Sequence, residues 1–174
     1  NEAAKNFGDV VYVLGNHDYY QRKHPDEMEK YRKGLASNVH LLENESVTIN
    51  GVTFHGGTLW NNMDNGNPIV EMAVEYFMND FRVIRTNGGK RRFTPLWARH
   101  LHSETVRYFK KNVKPGDIVV THHAPSFLSI HPDYPDFKTN CGFASDLSEL
   151  IFDLKPQLWF HGHVHNSFDY TIGD

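Results

Sequence analysis

Three short apolar runs, each breaking off into a polar cluster rich in histidine, constrain this chain more than any other feature. Asp9-Val10-Val11-Tyr12-Val13-Leu14 leads into Gly15-Asn16-His17-Asp18. Ile118-Val119-Val120 leads into Thr121-His122-His123-Ala124-Pro125, and Leu158-Trp159-Phe160 into His161-Gly162-His163-Val164-His165. Short apolar runs without polar alternation are the mark of strands buried on both faces of a sheet. In open α/β sheets ligands gather outside the carboxyl ends of the strands. The three clusters are therefore expected to converge although they lie far apart along the chain.

The rest of the chain alternates between helix and strand signals. Asn1 to Phe7 reads as the end of a helix, and Pro25 to Ala36 as a charged helix with Pro25 in its first turn. Val39 to Leu42 is an expected strand. Val47 to Ile49 and Val52 to His55 flank Asn50-Gly51, two residues that tolerate positive φ and so predict a tight hairpin. Asn67-Pro68 and Thr94-Pro95 each read as an N-cap followed by a first-turn proline, opening helices to about Met78 and Lys111. Between them, Arg82 to Arg92 is basic and contains glycines; it reads first as a mobile solvated loop and second as a phosphate-facing patch. Pro125 to Cys141 is a long irregular segment of the kind that is usually functional or disordered. Ser145 is expected to cap a helix running to Leu154. No repeat or linker interrupts this order, so a single α/β domain over residues 1–174 is expected.

Composition narrows the function classes. A net charge of −3 over 174 residues gives no overall basic field, so nucleic acid is expected only as a substrate met by a local patch. Cys141 is the one cysteine, which excludes an internal disulfide and a multi-thiolate zinc site. It also fits a reducing, cytoplasmic setting. No apolar run reaches the roughly 18 to 20 residues that span a bilayer. Twelve histidines carry meaning only through their arrangement.

Imidazoles and oxygen donors suit Mn, Fe, Zn or Ni, whereas soft-metal and iron–sulfur chemistry wants thiolates that this chain lacks. Hydrolysis of a phosphate ester needs a nucleophile at neutral pH and neutralisation of phosphoryl charge, and a pair of metal ions meets both needs. The Gly-Asn-His-Asp, Thr-His-His-Ala-Pro and Gly-His-Val-His turns resemble the later motifs of the calcineurin-like metallophosphoesterase superfamily. That superfamily includes purple acid phosphatases, nucleases and cyclic-nucleotide phosphodiesterases. The resemblance runs from about Val10 to the end of the chain. Gly57-Thr58-Leu59-Trp60 and Leu158-Trp159-Phe160-His161-Gly162-His163 resemble bacterial and phage members of it.

The resemblance implies a two-sheet β-sandwich flanked by helices, two divalent metal ions and a phosphate mono- or diester as substrate. It implies Asn16, His122 and His163 as ligands of one ion and His165 as a ligand of the other. His17 would be a catalytic histidine that binds no metal, with Asp18 orienting it. His122 and His123 are adjacent, and which of them is the ligand is a matter of register; His161 reads as structural.

The superfamily's earlier Asp-x-His and Gly-Asp-x-x-Asp motifs are not matched. No histidine here has an aspartate two positions before it, and Gly8-Asp9 and Gly116-Asp117 are followed by Tyr12 and Val120 at the fifth position. The reading is that a segment carrying those motifs precedes Asn1, and that the chain ends at Gly173-Asp174 inside a strand. Two other readings stand beside the hydrolase: a non-catalytic protein-interaction scaffold on the same fold, and a structural single-metal protein.

Overall fold

The computed structural model describes residues 2–134 and 136–173. Helix α1 (Glu2–Asn6) leads to strand β1 (Val10–Tyr12), and α2 (Asp26–Lys33) to β2 (Val39–Leu41). Strands β3 (Glu45–Ile49) and β4 (Val52–Gly57) follow, then α3 (Met63–Gly66), α4 (Pro68–Phe77) and α5 (Asp80–Val83). Next come β5 (Arg85–Thr86), β6 (Arg91–Arg92), the long helix α6 (Pro95–Asn112) and β7 (Ile118–Thr121). Helices α7 (Phe137–Asn140) and α8 (Ser148–Leu154) precede β8 (Leu158–His161).

The strands form mixed sheets flanked by helices, an α/β fold. β1 pairs in parallel with β2, while β3-β4-β7-β8 form a four-stranded sheet. In it the β3–β4 hairpin turns on Asn50 (φ 50°) and Gly51 (φ 83°). β4, β7 and β8 run parallel, with Gly57, Thr121 and His161 in register. This register sets the ends of β4, β7 and β8 level along one edge; β7 and β8 lead into the two histidine turns, while the turn that carries Asn16 follows β1 of the other sheet. The two sheets meet closely at Gly56, where a β-carbon would stand 2.6 Å from Leu42 Cβ and 2.9 Å from Val13 Cγ1.

Two apolar clusters hold the layers together. One joins Leu14, Tyr19, Trp60, Phe81, Ile84 and Phe93 with α4; the other sets Phe109 of α6 against Val119 of β7 and Leu150 of α8. Helix α6 buries Ala98, His102, Thr105 and Phe109, a stripe of spacing four, three and four that faces the sheet. Both Asn-Pro and Thr-Pro starts are formed: Asn67 Oδ1 accepts the Ile69 N–H at 3.1 Å and Thr94 Oγ1 the Trp97 N–H at 3.2 Å.

Several expectations change. The basic stretch from Arg82 is an ordered hairpin, β5–β6, rather than a loose loop. Its ends are pinned by the fully buried Ile84 and Phe93 and by the His24 N–H donating to the Arg85 carbonyl at 2.8 Å. Ser145 does not cap α8; it is fully buried and its Oγ accepts the Asn62 N–H at 3.0 Å, while Asp146 takes the Ser148 N–H. The strand expected at the end of the chain is absent among the described residues, where 166–173 are irregular, and Asp174 lies outside them. The regular part of the first strand is shorter than expected, and α2 ends at Lys33. Among the described residues no helix is long and apolar enough to cross a membrane.

Candidate metal centre

The first of the three strand-end turns is built by Asp18. Its Oδ2 accepts the Gly15 N–H at 2.8 Å, closing a 3-10 turn over Asn16–Tyr19. That turn sends Asn16 inward, 2% exposed, and leaves His17 exposed with its ring 4.3 Å from that of Tyr20. Asp18 Oδ1 receives the hydroxyls of Tyr31 (3.1 Å) and Tyr12 (3.3 Å). The hydrogen bonds of Asp18 go to its own turn and these two tyrosines and not to His17. It holds the loop rather than orienting the catalytic histidine expected beside it.

The second turn separates the adjacent histidines. Both lie in the bend just past the end of β7 at Thr121. His123 goes into the core, 1% exposed, where its Nδ1 bonds the Thr58 carbonyl at 3.1 Å and its ring lies 5.2 Å from that of Trp60. Burial holds its pKa well below the usual imidazole value. His122 goes the other way: its Nε2 stands 2.9 Å from Asn16 Oδ1 and 3.1 Å from His163 Nδ1.

The third turn places His163 and His165 in the left-handed region, at φ 67° and 60°. Non-glycine residues seldom adopt it, and such strain tends to collect at functional sites. The Gly162 N–H donates to the His122 carbonyl at 3.1 Å and ties the third turn to the second. His165 is exposed, yet close enough for its charge to depress the pKa of both His122 and His163. His161 points elsewhere, its Nε2 2.8 Å from the fully buried Ser129 Oγ, which is also bonded to the Tyr170 hydroxyl. That contact pins the long segment after Pro125 to the end of β8.

Burial pushes His122 down to about 4, with the neighbouring histidines adding to it against the pull of Asp18. Burial and then His122 push His163 down to about 3. At neutral pH both rings are therefore uncharged, with lone pairs available. Ligands at about 2.0–2.2 Å from one ion, at right-angled to tetrahedral geometry, are themselves about 2.8–3.6 Å apart. The observed 2.9 and 3.1 Å separations fit that spacing. A single proton on His122 Nε2 cannot serve both facing acceptors well, whereas a cation can. Among the described residues no group of three His, Cys, Asp or Glu is placed to hold a metal. The third donor of this cluster is an amide oxygen.

Two further groups support the site. Asp80, 2% exposed, accepts the Tyr20 hydroxyl at 3.3 Å; burial raises its pKa, opposed by the Asn16 side chain and by His17. Glu43 Oε2 accepts both the N–H (2.9 Å) and the hydroxyl (2.6 Å) of Thr58. Burial raises Glu43 to about 6 against those bonds. Asp80 has no sequence signal. Glu43 has none either, although the Gly57-Thr58-Leu59-Trp60 turn that it holds was recognisable. Leu59 (φ 70°) and Trp60 (φ 52°) are left-handed in that turn, a strained pair for bulky side chains.

The chain is 28% identical over 177 residues to an uncharacterized protein of Acanthamoeba polyphaga mimivirus, covering 90% of this chain. It spans 61% of the length of that relative. No solved structure matches it significantly. The model of the calcineurin-like phosphoesterase family matches residues 1–167, and the chain belongs to that family.

Proposed function

We propose that this chain carries metal-binding and catalytic residues of a metal-dependent hydrolase acting on phosphate mono- or diesters. One observation supports the reading above all. The ends of three strands set the neutral imidazole nitrogen His122 Nε2 2.9 Å from the amide oxygen of Asn16 and 3.1 Å from His163 Nδ1. In this reading those three residues hold one divalent ion of the Mn, Fe, Zn or Ni class, and His165 contributes to a second. Such ions, when bound, supply a water of lowered pKa as nucleophile and neutralise phosphoryl charge.

The residues of the chain do the rest. Asp18 and Gly15 shape the turn that aims Asn16 inward and His17 outward. His17, exposed beside the cluster, gives its proton to the departing oxygen or donates to a phosphoryl oxygen. His123 and Trp60 form the buried wall behind His163, keeping its ring dry and neutral.

Phosphate or p-nitrophenol release by the full-length protein with added Mn²⁺, from p-nitrophenyl phosphate and its bis ester, tests the reading. His163→Ala should abolish turnover and lower metal content, whereas His17→Ala should cut turnover by roughly 10² to 10⁴ and leave metal bound. Full metal occupancy of His163→Ala by elemental analysis would overturn the ligand assignment.

A further inference from the structure

We propose that the β5–β6 hairpin binds the phosphodiester backbone of a nucleic-acid strand beside the metal centre, making nucleic acid the substrate class. The inference rests on the hydrolase reading above. Residues 82–92 carry five cations, Arg82, Arg85, Lys90, Arg91 and Arg92, and no acid, in a chain whose net charge is −3. A solvated face ordinarily mixes the two signs. Here the register sets Arg85 directly opposite Arg92. Like charges across a strand pair repel, so nothing in the hairpin's own stability accounts for the arrangement. Among the described residues the arginines paired with carboxylates are Arg22, Arg32 and Arg99, none of them on the hairpin.

The ribbon is anchored and presented to solvent. Asn87, Gly88 and Gly89 turn it with three successive positive φ angles of 49°, 64° and 93°. Thr86 and Phe93 are buried, while Lys90, Arg91 and Arg92 are exposed. A preformed cationic ribbon loses little entropy on binding.

Its position ties it to the site. Lys23 forms a parallel bridge with Arg85, and the Arg85 N–H donates to the Arg22 carbonyl at 3.1 Å. Those residues follow directly on the turn that carries Asn16 and His17. On the other side, β5 continues from α5, whose Asp80 holds the Tyr20 hydroxyl. The rings of His17 and Tyr20 lie 4.3 Å apart at the turn that precedes Arg22, an aromatic face of the kind on which bases stack.

A small monoester has one phosphate, which the metal centre itself accommodates. A second set of cations, on the hairpin, suits a ligand with further phosphates along a chain. Guanidinium forks match phosphate oxygens in pairs, and none of Arg82, Arg85, Lys90, Arg91 and Arg92 has a carboxylate partner among the described residues.

The test is fluorescence anisotropy of a labelled single-stranded oligonucleotide with the full-length protein in EDTA, over a range of salt. The wild type is compared with Lys90→Ser/Arg91→Ser/Arg92→Ser. Binding should weaken at least tenfold in the triple variant, and the slope of log affinity against log salt should shrink by about 2, near 0.7 for each lost phosphate contact. Turnover of bis(p-nitrophenyl) phosphate with Mn²⁺ should stay within twofold, because the three side chains lie outside the catalytic cluster. If the triple variant fails to fold, Arg91→Gln alone should weaken binding about threefold. Unchanged affinity and salt slope in a folded variant overturn the proposal. So does inorganic polyphosphate competing as well as the oligonucleotide, since charge alone would then be read. An inactive wild type on the bis ester would count against the hydrolase reading, while the anisotropy would still report on the hairpin.

Discussion

A β-carbon at Gly15 would stand 2.5 Å from His122 Cε1 and 2.7 and 2.9 Å from its two ring nitrogens. The backbone there is extended, at φ −99° and ψ 172°, so alanine fits the turn and only the ring of His122 must yield. Gly15→Ala should therefore lower metal affinity and turnover at least tenfold while the melting temperature moves by only a few degrees. Wild-type affinity by calorimetry would show that His122 does not bind where its ring lies. Residue identity alone left His122 and His123 equivalent, because they are neighbours with the same side chain. What separates them is the Thr58 carbonyl that bonds His123, a partner 65 positions away. Asp80 was invisible for the same reason: it meets Tyr20 across 60 residues and belongs to no motif. The turns that present Asn16 and His163 were legible because each is local.

Elements whose causes are local could be read directly: the Asn50-Gly51 hairpin, the two Pro-started helices, and the buried strands that end in histidines. Elements ordered from a distance could not. The β5–β6 hairpin has a local turn at Asn87-Gly88-Gly89, but its ends are fixed by Ile84 and Phe93 in the core and by His24, contacts that its own sequence does not announce. The turn after β4 is a similar case. The Thr58 hydroxyl is fully buried and bridges the Leu14 carbonyl (3.0 Å) at the end of the first apolar run and Glu43 Oε2 (2.6 Å). Thr58→Val keeps the shape and removes the hydroxyl, so the Leu14 carbonyl and Glu43 Oε2 lose the one proton they share, and Glu43 Oε2 keeps only the Thr58 N–H. The substitution should destabilise by about 1–3 kcal/mol, the scale for orphaned buried polar groups. Urea unfolding measures this, and a change under roughly 0.5 kcal/mol would mean that the hydroxyl does not join the two sheets.

At the scale of the whole molecule, burying so many imidazoles makes the fold acid-sensitive. His24 and His102, 6% and 5% exposed and both outside the metal cluster, are each held by burial at about 4, against an ordinary value of 6.5. A folded-state pKa below the unfolded one means that the unfolded chain takes up protons first. Their stabilisation is present above pH 6.5 and lost as pH falls towards 4, amounting to roughly 3 kcal/mol for each. His122 and His163 act in the same direction in the metal-free protein. Glu43 opposes them: its pKa is raised to about 6, so protonating it favours the fold as pH falls through that value. Asp80, also raised by burial, opposes them as well and His123 acts with them, so two carboxyls stand against five histidines and the balance stays with the histidines. His24 offers a clean test, because its ring lies 4.7 Å from that of Tyr19 and 5.9 Å from that of Phe93, and its buried Nδ1 has no hydrogen-bond partner among the described residues. His24→Phe should preserve that aromatic packing at pH 7 and lose less stability than wild type at pH 5, by about 2 kcal/mol. Thermal melts of both proteins at the two pH values measure the difference, and parallel losses would show that protonation of His24 does not drive acid unfolding.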